Sequence, residues 1–332
     1  MITTAPDTTR VAALTTGLDR LRRSLHTADD GVPRHLDEPS WEPGFVAEFP
    51  QAGVDSLRMA EFDYTTAELH GRAGLCDDLA MAGPVALLTA RGAQALRTIC
   101  RELKPWAVHN DQVVSHRLRN VEAVSPFVRA MVRDPAFLRN ASRLVGVPLI
   151  PHPLRNAGVQ INYYDPPADG AAPAAVKWHL DGMNHVFTMT LSDHAEHTGG
   201  GYVYYRGHPR DFDIHREKTT AMGSSHPKVH TAPLQHVGDT VFTRGSRVYH
   251  AVTPVSRGDR ITLAVSLFCP LLGAQDENRF WHSAPDDGLL RTLGNWRRLR
   301  RAVRRPATYC RREGIPIIPL GHPAGPGIAP PK

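Results

Sequence analysis

Residues 237–268 read VGDTVFTRGSRVYHAVTPVSRGDRITLAVSLF, and this stretch decides the fold. The runs TVFTRG, RVYHAV and RITLAVSLF are of strand length, rich in β-branched and aromatic residues, and mostly bounded by Gly, Pro, Asp or Ser. The same texture continues upstream in GVQINYYD (158–165), VKWHLDG (176–182), HVFTMTLSD (185–193), GYVYYRG (201–207) and APLQHVGD (232–239). About eight short strands within roughly 110 residues fit an antiparallel sandwich or barrel, and the helices that a parallel sheet needs between its strands are missing. The expected fold is mainly β with flanking helices, around a jelly-roll (double-stranded β-helix, cupin-like) core.

Outward from this core the pattern changes. Val11, Leu14, Leu18, Leu21 and Leu25 recur at helical spacing and predict an amphipathic helix in residues 1–30, followed by a Pro/Gly-rich loop over 31–56. GPVALLTARGAQALRTICRELK (83–104) predicts a short strand and then a helix with Ala93, Leu96, Ile99 and Leu103 on one face. SPFVRAMVRDPAFLRNASRLVG (125–146) predicts two short helices parted at Asp134-Pro135. DDGLLRTLGNWRRLRRAVRR (286–305) predicts a last helix capped by Asp286 or Asp287, with Leu289, Leu293, Trp296, Leu299 and Val303 as its apolar stripe. The chain thus divides into a mostly helical region at 1–150 packing on the core, a catalytic roll at 151–275, and a basic helix with a proline-rich tail at 276–332, together one compact unit. The longest gap in the roll, 207–230, reads as a mobile loop at one mouth of the barrel.

Composition narrows the function. Hydrophobic residues make up 41% of 332, as in a soluble globular protein, and no run of about 18 apolar residues is present to span a membrane. No signal peptide is visible, and Cys76, Cys100, Cys269 and Cys310 form no CxxC pair, so reduced thiols in a cytoplasm are expected. The net charge of +6 traces to eight arginines within 295–312, which argues against a nucleic-acid partner. A small-molecule substrate, no membrane, and a monomer or homodimer are the expected associations. No G-x-S-x-G elbow appears, and no lysine follows Gly199–Gly201 to make a phosphate loop. His194-x-x-His197 reads as an exposed turn. Arg206, Arg210, Lys218, Arg244 and Arg247 read either as solvated rim residues or as the lining for an acidic substrate.

His-x-acid occurs five times, at His35, His109, His179, His194 and His215. Only His179-Leu180-Asp181 lies in a strand-like stretch, where positions i and i+2 share a face. A carboxylate there is costly to bury as an ion, and a bound cation offsets that cost. A local hydrogen bond at a solvent-facing strand end is the plain alternative for this pair, and a core imidazole bonded to a backbone carbonyl is the plain alternative for His250. Arg260 follows His250 across the turn SRGD, on the same sheet in this reading. Two histidines and one carboxylate can bind one face of a ferrous ion and leave the other open. An arginine nearby suits an anionic cosubstrate rather than a structural metal.

KWHLDG (177–182), TGGGYVYYRG (198–207) and the 237–268 stretch resemble the iron(II)- and 2-oxoglutarate-dependent dioxygenases, specifically their prolyl-4-hydroxylase-like branch and, in the N-terminal half, the phytanoyl-CoA-hydroxylase-like one. The resemblance is close over about 156–270 and loose over 80–150. It implies iron ligation by His179, Asp181 and His250. It also implies a 2-oxoglutarate carboxylate on Arg260, with Thr262, Tyr164, Thr190 and Asn162 lining the cosubstrate, and O2 as the oxidant. Asp181 points away from the related halogenases, which carry a small residue there. The implied activity is oxidation, by default hydroxylation, of a small molecule. The Ala-, Arg-, Pro- and Gly-rich usage is that of a high-GC bacterial gene and suits secondary-metabolite biosynthesis. A non-redox cupin-type isomerase or sensor and a protein side-chain hydroxylase are the alternatives.

Overall fold

The structure is a computed structural model that describes residues 37–49, 54–69, 78–110, 114–166, 176–276 and 289–316. The helix expected in 1–30, the caps Asp286 and Asp287, and the tail beyond 316 lie outside them. The strands are β1 (Ser56–Arg58), β2 (Leu79–Ala86), β3 (Val108–Asn110), β4 (Val114–Arg119), β5 (Ile150–Pro151), β6 (Val159–Tyr164), β7 (Val176–His179), β8 (His185–Thr190), β9 (Thr198–Gly199), β10 (Tyr202–Tyr205), β11 (Val229–Thr231), β12 (Asp239–Arg244), β13 (His250–Val252), β14 (Val255–Arg257) and β15 (Arg260–Phe268). The larger sheet runs β1-β2-β12-β8-β15-β6-β4-β3, with β5 also on β15. The smaller runs β11-β10-β13-β7, and β14 pairs with β9. All pairings are antiparallel, and the two sheets form the expected double-stranded β-helix.

Register sorts the side chains, because directly opposed residues share a face. On the larger sheet Leu263 opposes Ile161 and Met189, and Phe242 opposes Phe187. These residues form the outer, apolar face. They pack with Leu96, Ile99 and Cys100 of helix α1 (Ala90–Glu102), with Phe127 and Val128 of α2 (Pro126–Met131), and with Phe137, Leu138 and Ala141 of α3 (Pro135–Val145). Thr89 caps α1 and Asp134 caps α3, each through its side chain. The strand–helix pattern at 83–104 and the helix pair at 125–146 thus form as the sequence predicts. Residues 56–119 also add β1–β4 to both edges of the larger sheet, so the first 150 residues are not only a helical layer.

The opposite face of the larger sheet is polar and looks into the roll. Arg260 opposes Tyr164, and Thr262 opposes both Asn162 and Thr190. Facing it, the smaller sheet directs His179, His250 and Tyr204 inward as register partners.

Residues 207–230 differ from the expected mobile loop. They form α4 (Pro209–Ile214) and α5 (Arg216–Met222). His208 caps α4 with Pro209 at its first position. Phe212, fully buried, packs on Val203, Tyr205, Tyr249 and Ala251, covering the outer face of the smaller sheet. Residues 232–238 are not a strand either. The Asp239 carboxylate accepts the N–H groups of Gln235 and His236 at 2.8 Å each, which makes a turn, and Pro233 has no N–H to pair.

The C-terminal helix α6 (Leu289–Arg304) keeps its expected stripe only in its second half, where Leu299 and Val303 pack on the cluster of Ile150 and Phe268. Leu293 and Trp296 are 41% and 43% exposed, whereas Asn295 and Ala302 are buried. Leu299 packs with Leu154, Met183, Val186 and Ala264, so the helix lies over one end of the roll. Cys100, Cys269 and Cys310 are free and buried. No helix among the described residues is long and apolar enough to cross a membrane.

Candidate metal centre

His179 ends β7 directly opposite His250, which begins β13, and their rings lie 4.3 Å apart between centroids. Asp181 is not in the strand, as the i, i+2 pattern had it. The chain leaves β7 after His179, and the Asp181 N–H donates to the Gly245 carbonyl at 2.7 Å. The Gly245 N–H in turn donates to the Asn184 carbonyl at 2.9 Å. Only a glycine fits at 245: a Cβ there would sit 2.5 Å from Asp181 Oδ2 and 2.7 Å from the Met183 carbonyl. These two backbone bonds bring the carboxylate back under both rings.

One oxygen of Asp181 lies 3.4 Å from His179 Nε2, and the other lies 3.4 Å from His250 Nε2. One ligand atom from each of the three residues falls within 4.8 Å of the other two, and no other such group occurs among the described residues. Each ring's second nitrogen is committed. His179 Nδ1 donates to the Lys177 carbonyl at 2.9 Å and His250 Nδ1 to the Val248 carbonyl at 3.0 Å. A carbonyl only accepts, so a neutral ring must carry its proton on Nδ1 and turn the Nε2 lone pair to the carboxylate. Acceptors facing acceptors need a cation between them. Burial pushes the His250 imidazole down to about 4, so a proton does not fill that role there near neutral pH. At His179 burial also opposes charge, but the hydrogen bond and charge of Asp181 outweigh it and raise the imidazole. As the core alternative for His250 has it, the ring bonds a backbone carbonyl, through Nδ1, and its Nε2 faces Asp181. The local alternative for His179 and Asp181 misses that the pair closes on a third residue.

Arg260 is on the larger sheet, across the roll from the histidines, and not on their sheet as expected. The strand β14 intervenes, and the turn SRGD joins β14 to β15 rather than the strand of His250. The guanidinium is 2% exposed and lies 4.8 Å over the Tyr164 ring. Its Nη1 is buried without a hydrogen-bond partner. Burial pushes the guanidinium down from its ordinary range, and the neighbouring Tyr164 draws it back. The Tyr164 hydroxyl lies 3.5 Å from Thr262 Oγ1. Thr262 and Thr190 are buried and Asn162 is 9% exposed, all on the inner face. The Thr190 hydroxyl donates to the Ser192 carbonyl at 3.1 Å.

The sequence reading missed three participants. Tyr202 stacks on His250, with centroids 5.4 Å apart and planes at 15°. Gly200 gives way to Arg260, whose Cδ would lie 2.5 Å from a Cβ at that position. His197 is buried, not exposed, and burial and then the Arg260 charge lower its imidazole. Four of the five supposed rim cations are engaged elsewhere. Arg206 pairs with Glu61 at 2.5 Å, and Arg210 lies 3.5 Å from Glu68. Arg244 is buried, donating to the Leu79 carbonyl and to Asn184, and Arg247 donates to the Glu68 carbonyl. Lys218 is exposed on α5.

Fold and site together give a double-stranded β-helix with a candidate two-histidine, one-carboxylate cation site and a buried arginine across the roll from it. No family model and no curated protein matches the sequence. Among solved structures the chain is similar to the non-heme alpha-ketoglutarate-dependent epimerase SnoN from nogalamycin biosynthesis, at 16% identity and a TM-score of 0.44, over 57% of this chain and 79% of that one. It is also similar to a Pseudomonas putida prolyl-4-hydroxylase, at 13% and 0.37 over 54% and 87%. A third is HygX from Streptomyces hygroscopicus with nickel and 2-oxoglutarate bound, at 14% and 0.40 over 54% and 78%. At these identities the likeness is one of architecture, and the chemistry of the site stands on its own residues.

Proposed function

We propose that this chain is an iron(II)- and 2-oxoglutarate-dependent oxygenase that oxidises, by default hydroxylates, a small molecule in secondary-metabolite biosynthesis. His179, Asp181 and His250 hold iron(II) by their converging Nε2 and carboxylate atoms. Arg260 binds the far carboxylate of 2-oxoglutarate, Thr262 and Tyr164 add hydroxyls beside it, and Asn162 and Thr190 complete the polar row. Iron with the keto acid and O2 supplies the oxidising power to remove a substrate hydrogen. The rest is the protein's own work. The Lys177 and Val248 carbonyls fix both rings, and Gly245 fixes the carboxylate.

The observation that carries this proposal is the Arg260 guanidinium, buried with an unpartnered Nη1 on the face opposite the cation site. Such a group calls for an anion, and a carboxylate matches its fork. A non-redox isomerase or sensor built on the same three ligands has no use for it. We take the substrate to be a small molecule rather than a protein side chain. The test is calorimetric titration of the metal-loaded protein with 2-oxoglutarate, together with succinate release under air with iron(II) and ascorbate. Binding and succinate are expected in wild type, with binding much weakened in Arg260→Ala. Absence of both in wild type refutes the assignment.

A further inference from the structure

We propose that the Tyr202 hydroxyl is a second hydrogen-bonding arm for the anionic cosubstrate, standing between the cation site and Arg260. The inference rests on the functional reading above.

Along β10, Tyr202 and Tyr204 alternate onto the inner face, and Gly200 lies two residues before the strand. At one end Gly200 abuts the Arg260 side chain. At the other Tyr204 is the register partner of His250. Arg260 and His250 thus approach this segment from its two ends. Tyr202 occupies its middle. Its ring stacks on His250, and it feels the charges of both Asp181 and Arg260. It is 4% exposed, so its hydroxyl has no bulk water to turn to.

That hydroxyl crosses to the other sheet. It lies 3.0 Å from the Oγ1 of Thr243, a fully buried residue on β12. Either oxygen can donate in this pair. In the pair alone the phenol, the stronger acid, is the better donor. With an anion beside it the pair reverses: Thr243 donates to the phenol oxygen and the phenolic proton turns to the anion. A chain of this kind strengthens each bond through the next. Burial pushes the phenol upward, so it keeps the proton it must donate. Tyr202 then shares with Arg260 the task of fixing the cosubstrate, while its ring buttresses a metal ligand.

Tyr202→Phe separates these two parts, since it keeps the stacked ring and removes only the hydroxyl. Wild type and variant are titrated anaerobically with iron(II), then the iron-loaded proteins with 2-oxoglutarate, both by calorimetry. Iron affinity should stay within about twofold, because the His250 stack persists. The dissociation constant for 2-oxoglutarate should rise roughly ten- to a hundredfold, the range for one hydrogen bond to a charged group. Thr243→Val removes the relay from the other sheet and should give a smaller rise in the same constant. Wild-type binding of 2-oxoglutarate with an unchanged constant in Tyr202→Phe overturns the role of Tyr202 and leaves the functional assignment standing. Failure of wild type to bind 2-oxoglutarate at all overturns both.

Discussion

Replacing Gly245 by alanine adds one methyl group at the point where the metal site is most tightly built. The new Cβ would lie 2.5 Å from Asp181 Oδ2, 2.6 Å from Asp181 Cβ and 2.7 Å from the Met183 carbonyl oxygen. Only the first of these can swing aside, and the swing takes the carboxylate off the shared ligand position. The other two are held by the 2.7 Å bond from Asp181 to Gly245 and the 2.9 Å bond from Gly245 to Asn184. The backbone at 245 is outside the left-handed region, so the cost is steric alone. Overpacking of this kind costs about 1–3 kcal/mol. Spent on the position of Asp181, it corresponds to roughly a ten- to hundredfold loss of divalent-metal affinity. Titration of the purified protein with cobalt(II), read in the visible spectrum, measures that affinity, and circular dichroism confirms the fold. A folded Gly245→Ala protein that binds cobalt(II) within twofold of wild type would show that Asp181 is not fixed by this contact, and the geometry derived for the centre would be wrong.

Arg260→Ala should leave metal affinity near wild type and raise the 2-oxoglutarate requirement by roughly a hundredfold or more, as expected for losing a charge-assisted pair; an unchanged requirement removes Arg260 from the site. Metal affinity should fall as pH drops through the raised value of His179, because the proton competes for Nε2, with close to one proton taken up per ion released. His250, held down to about 4, should add no second proton above about pH 5, so a two-proton dependence near pH 6 contradicts that assignment. Phe212→Ala should cost about 3–5 kcal/mol in chemical denaturation, as for a buried aromatic in a packed core. A loss under about 1 kcal/mol would restore residues 207–230 to the status of a loop.

His179 and Asp181 were legible because a carboxylate close behind a strand histidine is chemically conspicuous, although the detail was wrong. Asp181 reaches its place through a turn bonded to Gly245, not through strand alternation. Alternation identifies a strand but not its partner, which is a long-range choice. That is why Arg260 was assigned to the sheet of His250. The three residues of β14, hidden in PVSRGDR, carry the chain from the smaller sheet to the larger. Tyr202 escaped for a related reason. In YVYY (202–205) every position is aromatic or β-branched, so the letters do not say that Tyr202 and Tyr204 face inward while Val203 and Tyr205 face out. By contrast, the helix at Pro209–Ile214 carried a readable start, a proline at its first position and a buried phenylalanine, outweighed by the polar residues around it.

The placement across two sheets gives the site its character. Had Arg260 stood beside His250 on one strand pair, the guanidinium and the cation would have shared a surface and repelled each other through little but water. Placed on opposite walls, they are separated by a buried interval that Tyr202 partly fills. An anion long enough to touch both walls neutralises both charges at once. Binding such an anion would draw on the low dielectric at both ends. The same arrangement explains why the glycines at 200 and 245 matter as much as the charged residues. Each clears the space in which one charged side chain, Arg260 or Asp181, reaches its position from its own wall.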